Sequence, residues 1–263
     1  MTVVVAGARV HLVDCGTGPP VLFLHGNPDS SDLWTDVIAR LSQRFRCLAP
    51  DLPGFGRSEP PPDPDYSLAG MARFPEGLLD ALSLTEPIGL VVHDFGGPFG
   101  LAWALHHPER VRRIAVINTV FHADYRWHFW ARVWRTPLLG ELSMALTNRW
   151  TFAYELRRGS PGLTHEQIGR VYALVSPSMK RTVLRLYRSV AVQDFAPAQR
   201  ELLQMTAETP TLVLWGDRDP YIPRTYAERF GAMEVHHFPD YGHWLPAEAP
   251  GEVATALEWF LSG

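Results

Sequence analysis

Lysine is almost missing from this 263-residue sequence: Lys180 is the only one, and arginine supplies the remaining positive charge. The net charge is only -4. Nothing in that balance signals the clustered Lys and Arg that nucleic acid or an anionic membrane demands. There are two cysteines, Cys15 and Cys47, too few for a disulfide framework and not spaced as metal ligands. A reduced, cytoplasmic setting is expected. The opening segment MTVVVAGARVHLVDCG has no basic n-region followed by a long apolar stretch, so it does not read as a signal peptide. No run of about 18 apolar residues occurs, which argues against a transmembrane helix. Internal repeats, low-complexity tracts and a heptad surface for assembly are also absent; EPPPDP, Glu59–Pro64, reads as a rigid surface loop.

What is present suits a globular chain with a sizeable core, 46% of it hydrophobic. Val3–Ala6, Gly7 and Arg9–Asp14 read as a hairpin. Short apolar runs then follow at Val21–Leu24, Cys47–Pro50, Leu90–Val92, Ile114–Ile117 and Thr211–Trp215, the mark of strands covered on both faces. Ser31–Gln43, Ser67–Leu84, Gly96–His106 and Glu252–Leu261 have helical spacing. Strand alternating with helix predicts a doubly wound α/β sheet. One stretch breaks the rhythm. Residues 121–194 contain no strand-like run and are dense in aromatics, with helix-compatible patches at Trp134–Leu146 and Lys180–Val190 around a Gly159–Thr164 turn. They read as a helical cap, with residues 1–120 and 195–263 forming the core domain. Most of its tryptophans are expected to be cap core, a few to face substrate.

The strongest local signal is Val91-Val92-His93-Asp94-Phe95-Gly96-Gly97. An apolar strand runs into one polar residue, then glycines, then a helix, which is the context of a strained turn that projects a nucleophile. Taken alone, an Asp before a helix is more often an N-cap. Two other segments shift the balance. Leu24-His25-Gly26-Asn27-Pro28 follows a strand and would bring the Asn27 N–H to the carboxyl end of the sheet, beside that of Phe95. Farther on, Trp215-Gly216-Asp217-Arg218-Asp219-Pro220 places a carboxylate past a strand, and Tyr241-Gly242-His243-Trp244 a histidine in a loop before the last helix. Nucleophile, acid and histidine thus run in the order used by α/β-hydrolases.

Over essentially its whole length the chain resembles the α/β-hydrolase superfamily, and within it the aspartate-nucleophile branch of haloalkane dehalogenases and epoxide hydrolases. The resemblance implies a mostly parallel eight-stranded sheet flanked by helices, with the cap inserted after strand 6. Asp94 would be the nucleophile, His243 the general base and Asp219 the carboxylate that orients it, with Asn27 and Phe95 as the oxyanion hole. Asp219 is preferred to Asp217 because the family's W-G-x-x-D-x-x-x-P pattern falls on Trp215, Gly216, Asp219 and Pro223. Some dehalogenases carry the acid after the preceding strand; the matching position lies near Asn118, which has no carboxylate.

A carboxylate attacking an ester would give an anhydride, so its natural target is a saturated electrophilic carbon, with an alkyl-enzyme ester as intermediate. Water activated by His243 then releases an alcohol. No metal or organic cofactor is needed; a small apolar organic substrate and water are the expected partners. Asn27 and Val92 resemble dehalogenases, in which that asparagine contacts the halide. Phe95 departs from them, since the family's Trp after the nucleophile offers an indole N–H and Phe offers none. A cap indole, from Trp127, Trp130, Trp134 or Trp150, could substitute. Tyr187, in Leu186-Tyr187-Arg188, resembles a ring-opening tyrosine of epoxide hydrolases, with Tyr125, Tyr154 or Tyr172 as partner. Halide and epoxide readings both stand, the first somewhat ahead. Position 94 disfavours a serine esterase, a cofactor-independent oxygenase has no specific support, and the intact set of residues disfavours a non-catalytic binding module.

Overall fold

A computed structural model describes all 263 residues. Strands β1 (Thr2–Val5) and β2 (Ala8–Cys15) form the opening hairpin. β3 (Pro20–Leu24), α1 (Thr35–Leu41), β4 (Arg46–Pro50), α2 (Leu68–Ala81), β5 (Ile88–His93), α3 (Gly96–His106) and β6 (Val111–Ile117) follow. The chain returns to the sheet with α9 (Phe195–Glu208), β7 (Thr211–Gly216) and β8 (Glu234–Phe238), then closes with α10 (Leu245–Glu248) and α11 (Pro250–Ser262). The eight strands lie in the order β1-β2-β4-β3-β5-β6-β7-β8, antiparallel through β2–β4 and parallel from there on. The expected eight-stranded, mostly parallel architecture is thus present.

Successive side chains of a strand point to opposite faces, so a strand buried on both sides divides its residues between two cores. Leu22, Leu24, Leu90 and Val92 belong to one hydrophobic cluster, with α2, α3 and α9. Val21, Phe23, Val91 and Ile117 belong to the other, with α1 and α11. That two-sided burial is why these strands read as continuous apolar runs. β8 does not read so, because it is the half-exposed edge of the sheet and its sequence is Glu-Val-His-His-Phe.

Between β6 and α9 lie five helices: α4 (Phe129–Arg135), α5 (Leu139–Leu146), α6 (Arg149–Gly159), α7 (His165–Ala173) and α8 (Pro177–Ser189). The continuous patch expected at Trp134–Leu146 is two elements. Pro137 follows α4, and Leu138 has φ of 69° before α5 begins; a proline cannot donate to the helix ladder and disfavours helical geometry in the residue before it. Neighbouring strands β3 and β5 leave the sheet in the region where strand order reverses, and their carboxyl ends open a crevice under these helices.

Candidate active site

Asp94 sits at that crevice. It follows β5 directly and adopts φ of 48°, the left-handed region that costs a non-glycine residue energy. Surrounding contacts over-determine the turn. Asp94 N–H donates to the Asn118 carbonyl at 3.2 Å, and the Thr119 hydroxyl donates to the Asp94 carbonyl. The next residues must be small: a Cβ on Gly96 would lie 2.1 Å from the Leu24 carbonyl oxygen. Gly26, on the loop after β3, answers the same constraint from the other side, since a Cβ there would meet Asp94 Oδ1 at 2.1 Å. The Asp94 side chain does not cap α3; it turns into the crevice, where Asn27 N–H donates to its Oδ1 at 2.8 Å. The Phe95 N–H beside it is unpaired.

The structure brings His243 and Asp219 to the same point. His243 Nε2 lies 3.5 Å from Asp94 Oδ2, and Nδ1 lies 2.7 Å from Asp219 Oδ2. Asp219 is fixed in turn by the N–H groups of Tyr221 and Ile222 on Oδ1, at 2.7 and 3.0 Å, and by Asn118 Nδ2 on Oδ2, at 3.0 Å. Asn118 is itself clamped to both backbone groups of Gly216. It therefore holds the carboxylate it could not supply, a positioning role that sequence reading missed. Asp217 faces away, toward His237 and Arg224. His93, the residue before Asp94, donates from Nε2 to the His243 carbonyl at 2.8 Å.

Electrostatics match this geometry. Burial opposes ionisation of Asp94, yet His243, then His93 and the Asn27 N–H, outweigh it and hold the carboxyl below its ordinary range. Burial likewise opposes charge on His243, but Asp219 and then Asp94 raise its pKa well above that of a free imidazole. Both carboxylates thus favour the charged form of the imidazole between them. Burial pushes His93 down to about 4, so it stays neutral and acts as a fixed hydrogen-bond donor. It also pushes the Asp29 carboxyl up to about 7, against a lowering contribution from Trp244.

The family profile for the alpha/beta hydrolase fold matches residues 19–250. The chain belongs to the α/β-hydrolase family. Among curated relatives, a cis-3-alkyl-4-alkyloxetan-2-one decarboxylase of Shewanella oneidensis is 30% identical over 97% of this chain and 86% of its own. A haloalkane dehalogenase of Mycobacterium tuberculosis is 33% identical over 95% of this chain and 90% of its own. Among solved structures, an ancestral haloalkane dehalogenase is 25% identical with a TM-score of 0.82, covering 100% of this chain and 98% of its own. The epoxide hydrolase CorEH, at 21% identity and TM-score 0.83, shares the fold. The protein is an α/β-hydrolase enzyme of the haloalkane dehalogenase-like branch.

In this hydrolase a cavity of about 430 Å³ rises from Asp94 and His243 into the cap. Trp127, Trp130 and Trp134 line it. Trp127 stacks over Phe95 with ring centroids 6.4 Å apart, and Trp130 stacks on Trp134. Trp150 does not line it: 74% exposed, it lies on the outer surface under the Arg149 guanidinium, so it cannot contact a leaving group. Tyr187 is buried against Phe95, and its hydroxyl meets Asn27 Nδ2 at 3.5 Å. Of the tyrosines considered as its partner, Tyr125 lines the cavity with its hydroxyl donating to the Tyr221 carbonyl, Tyr172 packs on Phe152 and Tyr154 is exposed. A residue missed in the sequence borders the cavity as well. His128 caps α4 by accepting the Ala131 N–H on Nδ1, so its proton sits on Nε2, which has no partner and borders the cavity. Burial pushes it to about 4, keeping it neutral. Only its place before a helix start could have flagged it. No cluster of His, Cys, Asp and Glu is arranged to hold a metal ion, and no helix is long and apolar enough to cross a membrane.

Proposed function

We propose that this enzyme hydrolyses small apolar molecules by displacement at a saturated carbon, with Asp94 as nucleophile and His243 as base. The observation that carries this reading is the division of labour between the two Asp94 oxygens. Oδ1 already accepts a backbone N–H from Asn27, while Oδ2 lies on the His243 side. Oδ2 attacks the carbon, the bond to the leaving group breaks, and an alkyl ester of Asp94 forms. Esterification removes one of the two negative charges that raise His243, so a proton on the imidazole passes to the departing group or to solvent and the neutral ring is left as a base. It then takes a proton from water, whose oxygen adds to Asp94 Cγ. The Asn27 and Phe95 N–H groups receive the resulting oxyanion on Oδ1. Collapse breaks the Cγ–Oδ2 bond; the departing alkoxide takes the proton from His243 and leaves as the alcohol, and the new carboxyl group gives up its own proton, restoring the carboxylate.

Haloalkanes are the first substrate class. Asn27 Nδ2 borders the nucleophile as a halide donor, and dehalogenases stand among the relatives covering nearly the whole chain. A specific observation favours a second class, the epoxides. The Tyr187 hydroxyl beside Asn27 can give its proton to a departing alkoxide and the Nε2–H of His128 can hydrogen-bond it, whereas the Phe95 ring offers a halide nothing. Incubation with 1-haloalkanes, terminal epoxides and a cis-disubstituted oxetan-2-one, scored for halide, diol and carbon dioxide, separates the substrate classes. With any true substrate, His243→Phe is expected to accumulate an alkyl adduct on Asp94, seen as a mass increase and placed by peptide mapping. An adduct on a serine, or none with any substrate that the wild type consumes, refutes the mechanism.

A further inference from the structure

The small net charge conceals a segregation. Residues 121–194 hold eleven Lys and Arg against five Asp and Glu, a net of +6, which leaves -10 on the remainder of the chain. Only Arg158, Arg170 and Arg188 of those eleven cations face a carboxylate. Large exposed apolar side chains are concentrated in the same region. Leu139, Leu142 and Leu146 recur at helical spacing along α5, Trp150 and Tyr154 along α6, and Leu138 precedes them at 81% exposure. The inner side of α5 packs on α4 and α8. Its leucines at 139, 142 and 146 stay more than half exposed, and exposed apolar side chains gathered in one region mark interaction surfaces.

Three features identify what they meet. First, Leu139, Leu142 and Leu146 are both exposed and part of the cavity wall, so the patch is the rim of the substrate cavity. Second, cations sit where they would flank an apolar layer. Arg149 lies over Trp150 at 5.1 Å, Arg157 is one turn beyond Tyr154, Arg132 is one turn beyond Phe129, and Lys180 holds the Met144 and Thr147 carbonyls at the end of α5. Apolar residues fringed by Arg, with Trp and Tyr among them, are the chemistry of a helix face lying in a lipid interface. Third, a second copy docking cap to cap would set +6 against +6.

We infer that the outer face of α5 and α6 seats the enzyme on an anionic phospholipid surface, with the mouth of its cavity against the apolar layer. The face is in the interface, not across it. Such seating gives a lipophilic substrate a path from membrane to Asp94 that avoids water. This inference goes beyond the chemistry proposed for Asp94, and its test does not depend on it.

Vesicle co-sedimentation of the full chain tests it, with phosphatidylcholine alone and with a quarter of the lipid as phosphatidylglycerol. Binding is expected with the anionic vesicles, at least tenfold weaker with the neutral ones, and falling as salt rises. Leu138→Glu and Trp150→Glu, both outside the cavity wall, are expected to reduce it at least tenfold while leaving thermal melting and turnover of a water-soluble substrate unchanged. Wild-type protein that ignores anionic vesicles overturns the inference, as do folded variants that bind as well as wild type. Gel filtration showing a dimer that the same two substitutions dissolve, without vesicle binding, assigns the face to a second copy and also overturns it.

Discussion

Replacing Phe95 with Trp tests whether the leaving-group site lacks a donor. In the wild type the position after Asp94 carries a ring with no N–H, and Asn27 is the one side-chain amide on the cavity wall that Asp94 also lines. A hydrogen bond to a charged group contributes roughly 1.5–3 kcal/mol. An indole N–H that reached a departing halide would therefore accelerate alkylation of Asp94 by roughly 10–100-fold. The gain carries a packing cost. Phe95 is 4% exposed, with its ring 4.9 Å from that of Tyr187 and 6.4 Å from that of Trp127. A larger indole must push one of these aside, at a stability cost of about 1–3 kcal/mol. The informative measurement is the single-turnover rate of alkyl-ester formation from a 1-bromoalkane in a His243→Phe background, with and without the Phe95 substitution. Thermal melts confirm that both proteins are folded. A faster alkylation step with halide and no gain with an epoxide supports the reasoning. A folded variant that alkylates no faster with halide shows that the missing donor is not what limits departure.

Two further outcomes follow from named groups. Tyr187→Phe removes the hydroxyl beside Asn27; diol formation from epoxides is expected to fall at least a hundredfold, with halide release changing little. Equal losses for both would mean that the ring, not the hydroxyl, matters. His122 is buried against Tyr226 and Phe230, outside the cavity, and burial pushes it down to about 4. The unfolded chain protonates this residue below about 6.5 while the folded one does not, so its contribution is full at neutral pH and lost as pH falls toward 4, by as much as roughly 3 kcal/mol. Urea midpoints measured from pH 7.5 to 4.5 should decline less steeply for His122→Phe than for wild type; parallel declines would show that His122 is not the titrating group.

Most of the parallel sheet was legible because strands buried on both faces must be apolar at every position, as Val21–Leu24 and Leu90–Val92 are. β8 was not, since an edge strand with Glu, His and His has no such constraint. The turn around Asp94 was legible for a local reason: the strand before it and the small residues after it are adjacent in sequence. The split at Pro137 was written in the chain but overridden by the apolar spacing on either side.

The rest was decided by contacts between distant residues. A local motif favoured Asp219 over Asp217, but not what holds it there; Asn118, 101 residues away, fixes its carboxylate facing His243. Tyr187 meets Asn27 across 160 residues. Trp127 and Trp150 are both cap aromatics, yet one lies over Phe95 and the other faces solvent, because only packing against neighbouring helices determines which side of an element looks inward. By itself the sequence determined an α/β chain with an aspartate at a strand-to-helix turn, since periodicity and small residues act within a few positions. The tertiary structure alone decided how Asp219 is held against His243, which side chains wall the cavity and where the cap's charge and leucines come together. Those depend on the approach of elements that nothing local encodes.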